Sequence, residues 1–228
     1  ATLQKTHQIE SGAKYTLRSH VADSKDELWD YDKKKWVIDD SNVNDLDYQQ
    51  HIFAAYASYG YRFSKLTLKA GTRLEYTLNR GLSKSASGNL TFDNSNFNIV
   101  PYLNAAWKID SRNTLSASYT RRLGRPSVTY LNPYIFEESP YSKMHGNPDL
   151  RTVVSDALTL TYRTRGETWD LTARTYGSLC NNKIEYLSKV YPNGLKVSTY
   201  ENAVTYDHID EMVSFNWNPG QRFSLQSS

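Results

Sequence analysis

Hydrophobic and polar side chains alternate over most of this chain, and the stretch 97–123 shows the pattern clearly. From Phe97 to Ile109 the large apolar side chains share one parity, whereas polar ones such as Asn98 and Lys108 fall on the other. A short polar segment, 110–112, follows, and the alternation then resumes to residue 123. Because the side chains of a β-strand point alternately to its two faces, this stretch predicts a β-hairpin with one apolar and one polar face.

Segments of the same kind recur along the chain, while helical periodicity is almost absent. Gly, Asn, Asp and Ser punctuate these segments, and no linker or low-complexity tract separates them, so we expect one all-β domain over residues 1–228. The predicted strands are 12–22, 48–62, 66–78, 97–109, 113–123, 155–164, 168–186, 196–217 and 222–228.

The connections between the predicted strands alternate in length. Short connections are predicted at 63–65, 110–112, 165–167 and 218–221, and long ones at 23–47, 79–96, 124–154 and 187–195. In an up-and-down antiparallel meander, this alternation places every short turn at one end and every long loop at the other. Such sorting is typical of transmembrane β-barrels of the outer membrane, whereas the Greek-key connections of a soluble β-sandwich mix lengths at both ends.

The aromatic residues agree with a barrel. Six of them lie within a few residues of a predicted short turn: Tyr61, Phe63, Trp107, Tyr162, Trp169 and Trp217. Amphipathic rings are favoured at the level of the lipid headgroups, so we interpret this set as the aromatic girdle at the periplasmic interface. The alternative is that the same rings close the core at the base of a soluble sheet.

Composition excludes several other classes. The formal net charge of +3 is mild and no dense Lys/Arg run occurs, so we expect no nucleic-acid partner. The sequence contains no run of about 18 apolar residues, so it predicts no transmembrane helix. A transmembrane strand, however, needs only about 10 alternating residues. Cys180 is the single cysteine, which rules out an internal disulfide framework and a cysteine metal cluster.

The parity of the strands assigns an environment to each face. Apolar side chains such as Phe53 and Leu160 share the parity that we expect to face lipid. An Arg or Lys at the bilayer midplane costs about 2–4 kcal/mol, so the ionic parity must line water. The predicted lumen-lining residues are Lys69, Arg73, Tyr102, Asn104, Lys108 and Arg174. Glu211 is an exception, because it shares the lipid-facing parity of Val213 and would need a β-bulge to turn inward.

Nine strands of this length are too few for the barrel that they predict. An open sheet would leave unpaired backbone groups at its edges in lipid, which is not tolerated. A narrow closed barrel would not have room for so many long inward side chains. We therefore expect this chain to form part of a larger barrel, with its remaining strands outside these 228 residues.

The segment 121–162 resembles a signature of TonB-dependent outer-membrane receptors, especially the Bacteroidota-type outer membrane protein β-barrel family. The similarity lies in Arg125-Pro126, Leu131-Asn132-Pro133, Gly146-Asn147-Pro148-Asp149-Leu150 and a strand from Ser155 to Tyr162, with weaker matches at 68–77 and 98–110. The resemblance implies a 22-stranded barrel in the bacterial outer membrane, with an N-terminal plug domain that this sequence does not show. It also implies energy-coupled import of a scarce nutrient, and we expect no resident cofactor. The implied partners are the TonB energy-coupling protein, the imported small ligand, the lipid bilayer and a surface lipoprotein.

The long connection 124–154 contains the candidate ligand contacts. Connections of this length are uncommon unless they are functional, and four prolines restrict this one. Its aromatic rings offer stacking surfaces and its first arginine offers charge, so the candidate ligand-binding residues are Arg125, Tyr130, Tyr134, Phe136 and Tyr141. The alternative is that the aromatic side chains pack the connection against the barrel rim.

Other constellations are weaker. The acidic connection 23–47 offers oxygens at 39–45 with spacing suited to calcium, but it lacks the Gly and the distal Glu of an EF-hand loop. No nucleophile elbow, phosphate-binding loop or metal-ligand spacing occurs, so we expect neither an enzyme nor a metal site. Two rival functions remain open, namely a soluble β-sandwich that binds carbohydrate and a barrel that serves adhesion.

Overall fold

The computed structural model describes residues 6–39, 42–85, 88–220 and 223–227. Thirteen strands and one short helix occur in this part of the chain. In chain order they are β1 (Thr6–Ser24), β2 (Glu27–Asp30), β3 (Lys35–Ile38), β4 (Asn44–Phe63), β5 (Leu66–Ser85), β6 (Gly88–Lys108), β7 (Asn113–Gly124), α1 (Val128–Leu131), β8 (Phe136–Ser139), β9 (Ser142–Met144), β10 (Val153–Arg165), β11 (Trp169–Val190), β12 (Lys196–Gly220) and β13 (Phe223–Ser227).

Nine of these strands form the antiparallel sheet predicted from the sequence, which we call the wall. They pair antiparallel with their neighbours in the order β1-β4-β5-β6-β7-β10-β11-β12-β13, which is an up-and-down meander. The sheet curls into part of a barrel. The wall is one continuous sheet rather than two facing sheets, so the fold is an outer-membrane type of β-barrel and the β-sandwich alternative is wrong.

The wall has two incomplete edges in the described part of the chain. β1 pairs only with β4. On its side away from β11, β12 pairs at its two ends alone, with β9 at residues 196–198 and with β13 at residues 215–220. Unpaired backbone groups are not tolerated in hydrocarbon, and that the sheet belongs to a wider barrel stays a prediction.

The strands extend further than predicted at the end with the long connections. The prediction of a loop over 79–96 is wrong, because β5 and β6 pair continuously from Leu66↔Trp107 to Ser85↔Gly88. Likewise β11 and β12 pair up to Val190↔Lys196, so that 191–195 alone connects them. Outside lipid the outer side of a strand need not be apolar, and here the inner side carries buried polar side chains such as Asn79 and Asn94. The apolar–polar alternation that marks a strand is therefore lost, although the backbone hydrogen bonds remain.

The register brings each parity onto a single face. All six predicted lumen-lining residues lie on one face, which we call the inner face; examples are the pairs Lys69↔Asn104 and Arg174↔Thr161. The opposite, outer face carries exposed apolar side chains such as Leu103, at 47% exposure. Glu211 pairs with Thr175 and stays on the outer face, because the β-bulge at residues 180–184 lies beyond this position.

Aromatic side chains lie on the outer face near the short connections. Trp169 and Trp217 are directly paired across β11 and β12, and Trp107 pairs with Leu66 beside the turn at residues 64–65. These three indoles are exposed on the outer face, which is the arrangement expected of an interfacial girdle.

The acidic connection 23–47 contains the β2–β3 hairpin. Trp29 and Trp36 pack edge to face at its centre, with ring centroids 5.6 Å apart. Asp30 accepts hydrogen bonds from the backbone of Lys33 and from its ammonium group, both at 2.9 Å, and the ammonium group lowers the pKa of this carboxyl. The calcium proposal at 39–45 falls partly on residues 40 and 41, which lie outside the described residues.

Candidate functional site

The connection between β7 and β10 folds against the upper inner face, at the end opposite the short turns. We call residues 125–152 the inner segment. Its buried side chains Leu131 and Leu150 pack with Leu46, Tyr48 and Phe92 of the wall to form the main hydrophobic cluster. Gly81 makes room for this cluster, because a Cβ at this position would lie 2.1 Å from Cζ of Phe92.

Asparagine side chains of the wall hold the backbone of the inner segment. The amide of Asn94 donates to the carbonyl oxygens of Pro148 and Leu150, at 2.7 and 2.8 Å. The Asn94 Oδ1 atom accepts from the amide of Asn79, at 3.0 Å, and Asn79 in turn accepts from the Tyr48 hydroxyl, at 2.9 Å. A carboxamide both donates and accepts, so this side chain suits a buried junction between strand and loop.

Two further asparagines fix the end of the inner segment. Asn202 accepts from the backbone N–H of Arg151, at 2.8 Å, and donates to its carbonyl oxygen, at 3.1 Å. Asn182 makes the same type of paired contact, donating to the carbonyl oxygen of Thr152 at 2.8 Å and accepting from the N–H of Val154 at 3.0 Å. The β-bulge of β11 releases Asn182 from regular pairing with β12, so its side chain is available for this role.

One acidic side chain is fully buried among arginines. Glu75 is 2% exposed, and its carboxylate forms ion pairs with Arg73 of the same strand, at 3.2 Å, and with Arg125 of the inner segment. A buried carboxylate needs charged partners to offset its lost hydration, and two guanidinium groups fulfil this need here. Arg125 is the first residue of the inner segment, and its ion pair with Glu75 therefore attaches the start of this segment to the wall.

The predicted ligand-binding residues of the inner segment have different environments. The Tyr130 ring stacks on Tyr200 with centroids 4.1 Å apart. Tyr134 is 3% exposed and packs edge to face against Phe136, and burial raises the pKa of the Tyr134 hydroxyl. Tyr141 is 69% exposed at the turn between β8 and β9. Of these four rings, Tyr134 has the least surface available for a ligand and Tyr141 the most.

The lower inner face is open and polar. Lys69 forms an ion pair with Glu10 of β1 at 2.8 Å, and both side chains are about 40% exposed. Arg174 lies over the ring of Tyr176, 5.7 Å from its centroid. Lys69 and Asn104 line a cavity of about 330 Å³ together with small hydroxyl-bearing side chains. A continuous polar surface thus runs below the inner segment.

Most contacts that hold the inner segment involve residues that the sequence pattern does not single out. Asn79, Asn94, Asn182 and Asn202 were not among the predicted site residues. The alternating asparagines at 94, 96 and 98 are a signal that could have marked β6, since they place three amides on the inner face.

No helix in the described part of the chain is long and apolar enough to cross a membrane. Among the described residues, no group of three or more His, Cys, Asp or Glu side chains is positioned to hold a metal ion.

Solved structures with the same fold are outer-membrane receptors and transporters. The copper transporter OprC has a TM-score of 0.69 and 12% identity over 96% of this chain and 34% of its own. The siderophore receptor PiuA from Acinetobacter baumannii has a TM-score of 0.66 and 12% identity over 99% of this chain and 35% of its own. The ferric citrate transporter FecA has a TM-score of 0.61 and 11% identity over 93% of this chain and 29% of its own.

These likenesses establish the fold. The chain spans about a third of the length of the receptors that it matches. No curated protein sequence matches it. The model of the outer membrane protein beta-barrel family matches residues 1–228. The protein is therefore located in the bacterial outer membrane, has the barrel architecture of TonB-dependent receptors, and belongs to the outer membrane protein beta-barrel family.

Proposed function

We propose that this chain forms part of the barrel of a TonB-dependent receptor that imports a scarce nutrient across the outer membrane. The observation that carries the proposal is the contrast between an apolar outer face and a polar inner face partly covered by a folded inner segment. A barrel that only anchors an adhesive surface has no need of an ordered constriction on its inner face. The similar structures are a copper transporter, a siderophore receptor and a ferric citrate transporter, which supports an import role.

The inner segment gives the import path its selectivity in this proposal. Ligand contacts come from Arg125, Tyr130, Phe136 and Tyr141, while Tyr134 anchors the segment through its packing. Below the segment, a released ligand passes the polar inner face, for which we retain the six lumen-lining residues as contacts: Lys69, Arg73, Tyr102, Asn104, Lys108 and Arg174. Arg73 contributes mainly through its ion pair with Glu75.

The domains and partners of the receptor that lie outside this chain are also part of the proposal. A plug domain and further strands complete the barrel, and the TonB protein grips the region before the plug to drive import. A surface lipoprotein is a further candidate partner at the extracellular end. We assign no catalytic step to the described residues, in keeping with the transporters and receptors that share the fold.

Uptake by cells tests the import role. Cells producing the full-length receptor should gain growth on one limiting nutrient from a defined panel of metal chelates, vitamins, glycans and peptides, and should lose this gain when TonB is deleted. Tyr141→Ala should lower uptake, whereas Tyr31→Ala, at the exposed tip of the β2–β3 hairpin, serves as the control. A receptor that confers adhesion to a surface, with identical uptake of the whole panel in both TonB backgrounds, would establish the adhesion alternative instead.

A further inference from the structure

We propose that the upper inner face carries a binding site for a multivalent oxyanion, a ligand bearing several carboxylate or phosphate groups. The site lies where β1 and β4 meet the start of the inner segment. This inference rests on the proposed function only in that the site faces the proposed import path. It adds the chemical class of the ligand, which neither the fold nor the family supplies.

A cavity of about 520 Å³ defines the site. Its polar lining comes from Arg18 and His20 of β1, Tyr48 and Gln50 of β4, and Arg125 and Ser127 of the inner segment. Binding pockets for organic ligands have volumes of roughly 300–1,000 Å³, so this cavity fits a molecule rather than a single small ion.

The charges around the cavity are unbalanced. Two guanidinium groups, those of Arg18 and Arg125, line it, and no carboxylate does. Glu75 lies behind Arg125, but it also pairs with Arg73, so two positive charges share one negative charge there. Arg18 has no carboxylate within ion-pair distance among the described residues. The cluster of these four residues therefore retains two positive charges, which favours an anionic occupant.

The donors are held in position before any ligand arrives. Arg18 donates through Nη1 to the Gln50 side-chain oxygen, at 3.3 Å. The amide of Gln50 donates to the Tyr48 hydroxyl and to Asn79, at 3.2 and 2.9 Å, so its oxygen is fixed towards Arg18. Donors that are already oriented lose little freedom on binding, which raises the affinity for a ligand of matching geometry.

The start of the inner segment adds a neutral donor. The Ser127 side-chain oxygen accepts from the backbone N–H of Tyr130, at 3.3 Å, so the hydroxyl proton is left to donate to another acceptor. Guanidinium groups bind carboxylate and phosphate oxygens in pairs, and a hydroxyl group completes such a contact. Arg18, Arg125 and Ser127 together thus match an oxyanion better than a neutral or cationic ligand.

Calorimetry on the full-length receptor in detergent micelles tests the site. The probes are tricarballylate and inorganic pyrophosphate, and the neutral comparator is the trimethyl ester of tricarballylate. We expect at least one anionic probe to bind, with an affinity that falls as salt is raised, and the ester not to bind. Arg18→Gln should weaken binding at least 10-fold.

Matched variants keep the test decisive. Arg163→Gln removes another inner-face arginine, which lies on β10 near the short turns, and it should leave binding unchanged. Arg18 is exposed and bonds only to a neutral side chain among the described residues, so its replacement should preserve folding, which a thermal unfolding curve verifies. Arg18→Lys keeps the charge but not the paired geometry, and should give an intermediate affinity.

The outcomes separate this inference from the import role. No binding of either anionic probe, or equal effects of Arg18→Gln and Arg163→Gln, would overturn the anion site whatever the cells import. Binding of an anionic probe that depends on Arg18 would support the site. If uptake by cells at the same time did not depend on TonB, the import role would be refuted while the site remained.

Discussion

The upper and lower halves of the inner face use polar residues in opposite ways. In the upper half, buried amides and one buried carboxylate bond to the inner segment and anchor it to the wall. In the lower half, Lys69 and Glu10 form an ion pair that is open to water, and small hydroxyl-bearing side chains line the wall. The comparison shows that a polar strand face can serve either as a packing surface or as the wall of an aqueous path, depending on whether a segment covers it.

The largest expected difference in stability between the two halves comes from removing one carboxylate in each. Glu75→Ala removes the buried carboxylate that two partly exposed arginines share, and should lower the free energy of unfolding by about 3 kcal/mol. Glu10→Ala breaks an exposed ion pair and should cost less than about 1 kcal/mol. Urea unfolding of the full-length receptor in lipid vesicles measures both. Equal effects of the two substitutions would show that the upper half is no more tightly packed than the lower.

Removing one side-chain amide in each half should give a smaller difference in stability between the halves. Asn94→Ala leaves the carbonyl oxygens of Pro148 and Leu150 without their donor, which should cost about 2 kcal/mol. Asn104→Ala alters an exposed position and should change stability by less than about 0.5 kcal/mol. Hydrogen exchange locates the effect, because Asn94→Ala should speed exchange within the inner segment. Unchanged exchange there would contradict the role given to Asn94.

A methyl group added at two glycines probes the packing of the cluster. Gly81→Ala forces the Phe92 ring to move and should destabilise the protein by about 1–2 kcal/mol. Gly177→Ala adds its methyl group where no atom lies within 4 Å, so it should be neutral or slightly stabilising. Thermal unfolding curves of the two variants provide the comparison, and a neutral Gly81→Ala would mean that Phe92 is loosely packed.

The smallest effect is expected at a turn that belongs to neither half. Asp110 accepts from the side chain of Asn113 and from the backbone N–H groups of Arg112 and Asn113, at 2.7, 2.7 and 2.8 Å, and these bonds lower the pKa of its carboxyl. The carboxylate therefore stabilises the turn above its ordinary pKa, near 3.8, and this contribution is lost as the pH falls through the lower folded value.

Hydrogen exchange at the Arg112 amide measures this local effect. Protection should hold down to about pH 4 and decline only at lower pH. Asp110→Ala should lower protection at neutral pH without a change in global stability. Constant protection across this range in the unsubstituted protein would show that the carboxylate does not order the turn.

The wall could be predicted because its pattern is local. Nine strands and the parity of their faces follow from alternation such as that of 97–109, since each strand in lipid must present an apolar side to the bilayer. The strand ends at Ser85 and Val190 could not be predicted, because outside lipid neither face needs to be apolar. Glu211 remains on the outer face, and the structure offers no physical account of it.

The inner segment could be predicted only in part. Its length and its prolines mark it as a shaped segment, but its position depends on contacts between residues more than 50 positions apart, such as Asn94 with Leu150. Sequence cannot tell a ring that packs, such as Tyr134, from one that is exposed, such as Tyr141. The ion pair of Glu75 with Arg125 is equally long-range, so a parity argument placed Arg73 on the correct face but could not identify Arg125 as the second partner of Glu75.

The central claim is that water lies on the inner face of this wall and lipid on its outer face. Spin labels at Leu103→Cys and Asn104→Cys, in a Cys180→Ala background of the full-length receptor in lipid vesicles, test it directly. We predict that the label at 103 is relaxed mainly by oxygen, which partitions into lipid, and the label at 104 mainly by a water-soluble nickel chelate. Equal accessibility of both positions to the two reagents would contradict the account.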